Sequence, residues 1–242
     1  MQQKKLIQSL TPIYALVLIG FILISGVANR VISVVSLEPS LNCRHTIIID
    51  PGHGGEDGGA TSCTGVLESK FNLEIALRLD DMMHLLGLQT IMIRETDRSV
   101  YREGETIAQK KVSDLKERVR IINETDNALL LSIHQNTFPD GKYWGAQVFY
   151  GNTYGSKELA YMMQTQLQIS LMPSNKRKAK PSSGVYLMEN IHCTGILLEC
   201  GFLSNHQEEA KLRDVEYQKQ LSGVIASVYS QYLIKLQEQE VL

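Results

Sequence analysis

Four side chains in this chain are of the kinds that grip a metal ion and move a proton, and each stands in a tight local setting. They are His53 in Ile-Asp-Pro-Gly-His-Gly-Gly (49–55), Glu68 at the start of a helical pattern, His134 in Leu-Ser-Ile-His-Gln-Asn (131–136), and Glu199 in Leu-Leu-Glu-Cys-Gly-Phe-Leu-Ser-Asn (197–205). Two imidazoles and a carboxylate are a common protein set for a catalytic zinc, whose fourth position is kept for water. The second carboxylate is then available as the proton carrier. The combination describes a hydrolase.

Each residue also has a plainer reading. A carboxylate in the first helical turn, as at Glu68, is stabilised by the helix dipole alone. His134 follows an apolar strand pattern and suits a hydrogen-bonded core histidine equally well. His53 lies in a loop with five glycines within 52–59, which can bend around a metal or a phosphate, but the Lys-Ser/Thr of a P-loop is missing. Glu199 ends an apolar run, where a buried acid is costly unless paired or bound to metal. Asp50 is placed to accept from an imidazole N–H. Asp50, Arg94, Asn136 and Arg177 are the candidates for supporting the ligands or touching substrate. His192, between the last two expected strands, is a candidate for lining the same cleft.

The surrounding pattern must position these groups. Thr46–Asp50 reads as a buried strand entering the glycine-rich turn. Glu68–Leu86 has helical apolar spacing and stops at Gly87. Further strands are expected at 88–94, 128–134, 146–150, 185–187 and 196–199, with helices at 111–125, 156–171 and 207–236. Residues 96–109 read as a polar insertion and 172–183 as a basic loop. Alternation of strands and helices predicts an α/β fold with a mainly parallel central sheet flanked by helices. In such sheets function gathers at the carboxyl ends of strands. Asp50 to His53, Arg94, His134 and Glu199 all fall at or just past such ends.

The chain has 242 residues and a formal net charge of −2, with no long basic stripe, which argues against nucleic acid as a partner. Residues 6–29 carry no charge and follow Lys4 and Lys5. That reads as an export signal or a membrane anchor; small residues at 25–28 would suit cleavage. The expected organisation is a signal or anchor over 1–29, a linker over 30–45 and a catalytic domain over 46–242, outside the cytoplasmic membrane. Cys43, Cys63, Cys193 and Cys200 have no C-x-x-C spacing. Cys200 reads as a small buried residue, and the pairing of the others is open.

The Pro-Gly-His-Gly-Gly, Glu68, Ser-Ile-His-Gln-Asn and Glu-Cys-Gly-Phe-Leu-Ser-Asn segments together resemble the zinc-dependent N-acetylmuramoyl-L-alanine amidases, in order, over almost all of 46–235. The likeness is greatest to the spore-cortex members. It implies a sandwich of the phosphorylase-hydrolase-like kind, one Zn²⁺ held by His53, Glu68 and His134, and Glu199 as catalytic acid and base. It further implies peptidoglycan strands as substrate, stem-peptide removal on the way to muramic-δ-lactam, and a muramic acid deacetylase as functional partner. An accessory protein is a further expected partner. The stretch Glu189-Asn-Ile-His-Cys-Thr-Gly195 departs from the Arg and Pro-Ala pattern of many members, which leaves the ligands intact and the substrate contacts open. Phe138–Gly145 is too short for a helix that blocks the metal. Two other readings are a catalytically weak peptidoglycan-binding scaffold and a zinc carbohydrate deacetylase.

Overall fold

The computed structural model describes residues 44–240; the expected signal or anchor and nearly all of the linker lie outside them. Six strands form one sheet: β1 (Thr46–Pro51), β2 (Thr90–Met92), β3 (Ala128–Asn136), β4 (Gln147–Tyr150), β5 (Lys180–Pro181) and β6 (Thr194–Phe202). The order is β2-β1-β3-β6-β4-β5, and every pair is parallel except β4 with β6. The mainly parallel α/β expectation holds.

Strand parity divides the core. Successive side chains alternate between faces. Ile47, Ile49, Leu129, Leu131, Ile133, Ile196 and Leu198 belong to the larger apolar cluster, which also takes up α1 (Glu68–Leu85), α3 (Ser156–Ser170) and α6 (Val215–Glu240). Ile48, Leu130 and Leu197 fall in the smaller cluster, under α2 (Ile107–Glu124) and α4 (Tyr186–Asn190). Continuing the second set by twos along each strand gives Asp50, Ser132, His134 and Glu199. The polar groups are therefore the carboxyl-end continuation of one apolar face.

Three expectations are corrected. Residues 185–187 do not form a strand. They lead into α4, where Leu187 and Met188 both bury against the smaller cluster, and Glu189 Oε1 accepts from the Gly184 N–H at 2.6 Å. A short apolar run does not by itself separate strand from helix. The missing strand is β5, two exposed residues inside the expected basic loop. The C-terminal helix is two helices: α5 (His206–Arg213) ends at Asp214, whose extended backbone and side chain, accepting from the Tyr217 N–H at 2.8 Å, start α6. Helix α2 also begins four residues earlier than expected, at a capping box in which Thr106 and Gln109 bond each other's backbone N–H. Cys200 is buried as expected, and Cys63 and Cys193 are free thiols.

Candidate active site

β1 delivers the glycine-rich loop, and its geometry explains the glycines. His53 itself has φ 61°, a left-handed conformation that is strained for a residue with a Cβ. A Cβ on Gly52 would lie 2.2 Å from the His134 ring, and one on Gly59 (φ +68°) would lie 2.7 Å from both Glu68 Oε2 and the His53 ring. The backbone passes so close to the candidate ligand side chains that these two positions have no room for any other residue.

Glu68, the first residue of α1, lies between the two imidazoles. Its Oε1 is 3.1 Å from His134 Nδ1 and its Oε2 3.3 Å from His53 Nε2. The backbone N–H groups of Gln135 and Ala60 and the Asn72 amide also donate to it. The two rings meet edge to face, with centroids 5.0 Å apart. One ligand atom from each of His53, Glu68 and His134 falls within 4.8 Å of the others, a span suited to one small cation. Burial pushes the Glu68 carboxyl up, but both imidazoles outweigh it and hold it well below the usual range.

Glu199 sits beside His134 on the neighbouring strand, at the same register level. Its Oε2 is buried and has no protein hydrogen-bond partner. Burial is the main cause that pushes its pKa up to about 7, against the partly opposing pull of His134. A carboxyl poised near neutral pH is what proton shuttling requires. An orphaned acid beside two imidazoles and a carboxylate is the donor arrangement expected around a divalent cation, so the residues fit a zinc ion.

The supporting residues differ from the sequence reading in one place. Asp50 has no hydrogen bond to an imidazole among the described residues. It accepts instead from Arg118 and from Ser132 Oγ (2.7 Å). The imidazole's acceptor is Asp57, four residues after His53, with Oδ2 2.9 Å from Nδ1. Lys111 of α2 holds that carboxylate at 3.1 Å. Burial alone would lower the His53 pKa, but Asp57 and Glu68 together raise it to about 9.

Sequence reasoning missed Asp57; the available signal was an acid four residues from a loop histidine. It also gave Arg118 no role. Arg118 reaches the loop through the Pro51 and His53 carbonyls (3.0 and 2.8 Å) while bonded to Asp50 and Asp114. Arg94 is fully buried and donates to the carbonyls of Pro51, Gly52, Ser69 and Thr96. It stitches the loop to the start of α1.

Asn136 ends β3 past a register shift, opposite Phe202. Arg177 stands over the Phe202 ring (4.6 Å) and donates to Trp144 O and Gln147 Oε1. Gln147 is the residue paired with Glu199 across β4 and β6, so Arg177 borders the site through that residue. His192 is not in the cleft: it lines a cavity with His45, Asn127 and Thr194 at the opposite, amino ends of the strands. The 138–145 segment contains no helix.

Comparison with known proteins places this arrangement. The family model described as N-acetylmuramoyl-L-alanine amidase (Amidase_3) matches residues 47–228. The germination-specific N-acetylmuramoyl-L-alanine amidase of Bacillus subtilis (strain 168) is 40% identical over 181 residues, 74% of this chain and 76% of that protein. The CwlD amidase from Clostridioides difficile, solved in complex with the GerS lipoprotein, superposes with a TM-score of 0.75 at 38% identity, covering 78% of this chain and 98% of that one. An N-acetylmuramoyl-L-alanine amidase from Clostridium difficile 630 gives 0.68 at 31% identity, covering 78% and 96%.

Proposed function

The chain belongs to the N-acetylmuramoyl-L-alanine amidase family, and from that premise we propose that it is a zinc-dependent enzyme that strips stem peptides from peptidoglycan during spore cortex maturation. The bond broken is the amide between the lactyl carbonyl of N-acetylmuramic acid and the nitrogen of L-alanine. The observation that supports zinc dependence most is the convergence of His53, Glu68 and His134 beside a buried acid with no protein partner.

Those three residues would hold the ion, which supplies Lewis acidity toward the carbonyl oxygen and acidifies water. Asp57 fixes the His53 ring by taking its Nδ1–H, which leaves Nε2 toward the other ligands. Glu199 accepts the proton of the attacking water. It then returns that proton to the alanine nitrogen, because an unprotonated amide nitrogen is a very poor leaving group. Its raised pKa favours both transfers near neutral pH.

The cortex role draws on the likeness to a relative named germination-specific. In that role the product is muramic acid freed of peptide, which a deacetylase would convert to muramic-δ-lactam. The structure solved with a lipoprotein supports an accessory protein for this chain as well. Export past the membrane, by a cleaved signal or a retained anchor over 1–29, completes the proposal.

Digestion of purified peptidoglycan with the zinc-loaded protein tests the chemistry. Mass spectrometry is expected to find peptide-free muramic acid; free hexosamine amines instead would indicate a deacetylase. Glu199→Gln is expected to keep its zinc and lose roughly 10²–10⁴-fold in turnover. Near-normal rates from that variant would remove Glu199 from the mechanism.

A further inference from the structure

We propose that Asn72 is a positioning residue of the candidate metal site: its one side-chain amide ties together the three segments that carry His53, Glu68 and His134. The inference rests on reading those three residues as the ligands of a single zinc ion.

The three candidate ligands come from distant parts of the chain. His53 lies on the loop after β1, Glu68 opens α1, and His134 is near the end of β3. No one of these elements sets the distance to the other two. Asn72 lies four residues after Glu68 on α1, and residues so spaced share a helix face. It is fully buried. Its Nδ2 donates to the Gly52 carbonyl at 3.1 Å and to Glu68 Oε1 at 3.3 Å. Its Oδ1 accepts from Gln135 Nε2 at 3.2 Å. Gly52 precedes His53, and Gln135 follows His134. One amide therefore bonds to a chain neighbour of each imidazole and to the carboxylate itself. Asp57 reaches His53, and Arg94 joins the loop to α1. Asn72 brings in β3 as well.

These bonds leave the amide one orientation. A primary amide offers two donor hydrogens and a carbonyl acceptor, and here both ends are engaged. Turning it over would set Oδ1 against the Gly52 carbonyl and the Glu68 carboxylate, and one NH₂ against another at Gln135. Gln135 shows what the arrangement costs. Its Oε1 is buried without a protein hydrogen-bond partner, which is destabilising, while its Nε2 serves Asn72. Exceptions of this kind among buried polar groups call for a reason, and orienting Asn72 supplies one.

The test measures zinc affinity of the full-length chain by chelator competition. The visible absorption of the cobalt-substituted protein reports ligand geometry alongside it. Asn72→Leu keeps the approximate volume and removes all three bonds. It is expected to weaken zinc binding about 10–100-fold and to shift the cobalt bands. Gln135→Met removes the Nε2 donor and is expected to weaken binding about tenfold. Because Gln135 acts through Asn72, the double variant should bind zinc no more weakly than Asn72→Leu alone; independent sites would add. Gly65→Ala, with nothing within 4 Å of the added Cβ, is the control for general destabilisation. It should melt earlier with zinc affinity and cobalt bands unchanged.

Native affinity and unshifted cobalt bands in Asn72→Leu overturn the proposal, and so do additive losses in the double variant. A loss of affinity that Gly65→Ala shares does the same, because it would trace to stability alone. If Asn72→Leu does not fold, Gln135→Met decides, and unchanged zinc binding there is the overturning result. A native chain that takes up no zinc would sink the metal reading itself, and this inference with it.

Discussion

Glu199 is the residue on which the proposed catalysis and stability pull in opposite directions. Its carboxyl pKa is raised to about 7 by burial, whereas an unfolded glutamate ionises near 4.3. A group with a raised folded pKa contributes its full stability below the unfolded value and loses it as pH rises through the folded one. The native metal-free protein should therefore lose stability between roughly pH 4.5 and 7, by up to about 3 kcal/mol from this group. Glu199→Gln should be spared that loss, and thermal melts of both metal-free proteins at pH 5 and pH 8 check it. Asp57 offers the complementary case. Asp57→Asn keeps the shape but removes the charge that orients His53, and zinc affinity in a chelator competition should fall about 10–100-fold. An unchanged affinity would leave Asp57 with a purely loop-building part.

At the level of elements, the glycine-rich loop that carries His53 is held more by other segments than by itself. Arg94 and Arg118 bond its carbonyls from β2's exit and from α2. The polar segment that reads as an exposed insertion also grips it: Ser99 Oγ donates to Gly54 O at 2.7 Å, and Asp97 accepts from the Gly55 N–H at 3.0 Å. The loop's glycines then differ in purpose, and substitution separates them. Gly65 has φ 88° with nothing within 4 Å of an added Cβ, so Gly65→Ala should cost about the 1–2 kcal/mol of a left-handed residue. Gly59→Ala adds overlap with Glu68 and His53. It is expected to weaken zinc binding as well as stability, whereas Gly65→Ala should lower the melting temperature alone. The helix at 186–190 and the two-residue β5 were illegible for a related reason. Both are too short to carry a period, and their form is set by neighbours.

For the whole molecule, two apolar clusters on either face of the sheet carry the fold, and the candidate metal site sits at one edge. Zinc should therefore add stability without being required for folding. At 100 times its dissociation constant a bound ligand adds about 2.7 kcal/mol. A chelator is expected to lower the melting temperature by several degrees and leave the far-ultraviolet dichroism intact; unfolding at 25 °C would contradict this. The order of strands and helices, the parallel sheet and the four residues of the candidate site were open to reading from the sequence, because period, turn residues and apolar runs are local properties. What surrounds those four was not. That Asp57 and not Asp50 accepts the imidazole hydrogen bond, that Arg94 is buried as a clamp, and that His192 lies at the opposite end of the strands all depend on how distant segments pack. A side chain's partner is chosen by distance in space, and sequence spacing fixes that distance only within a single element.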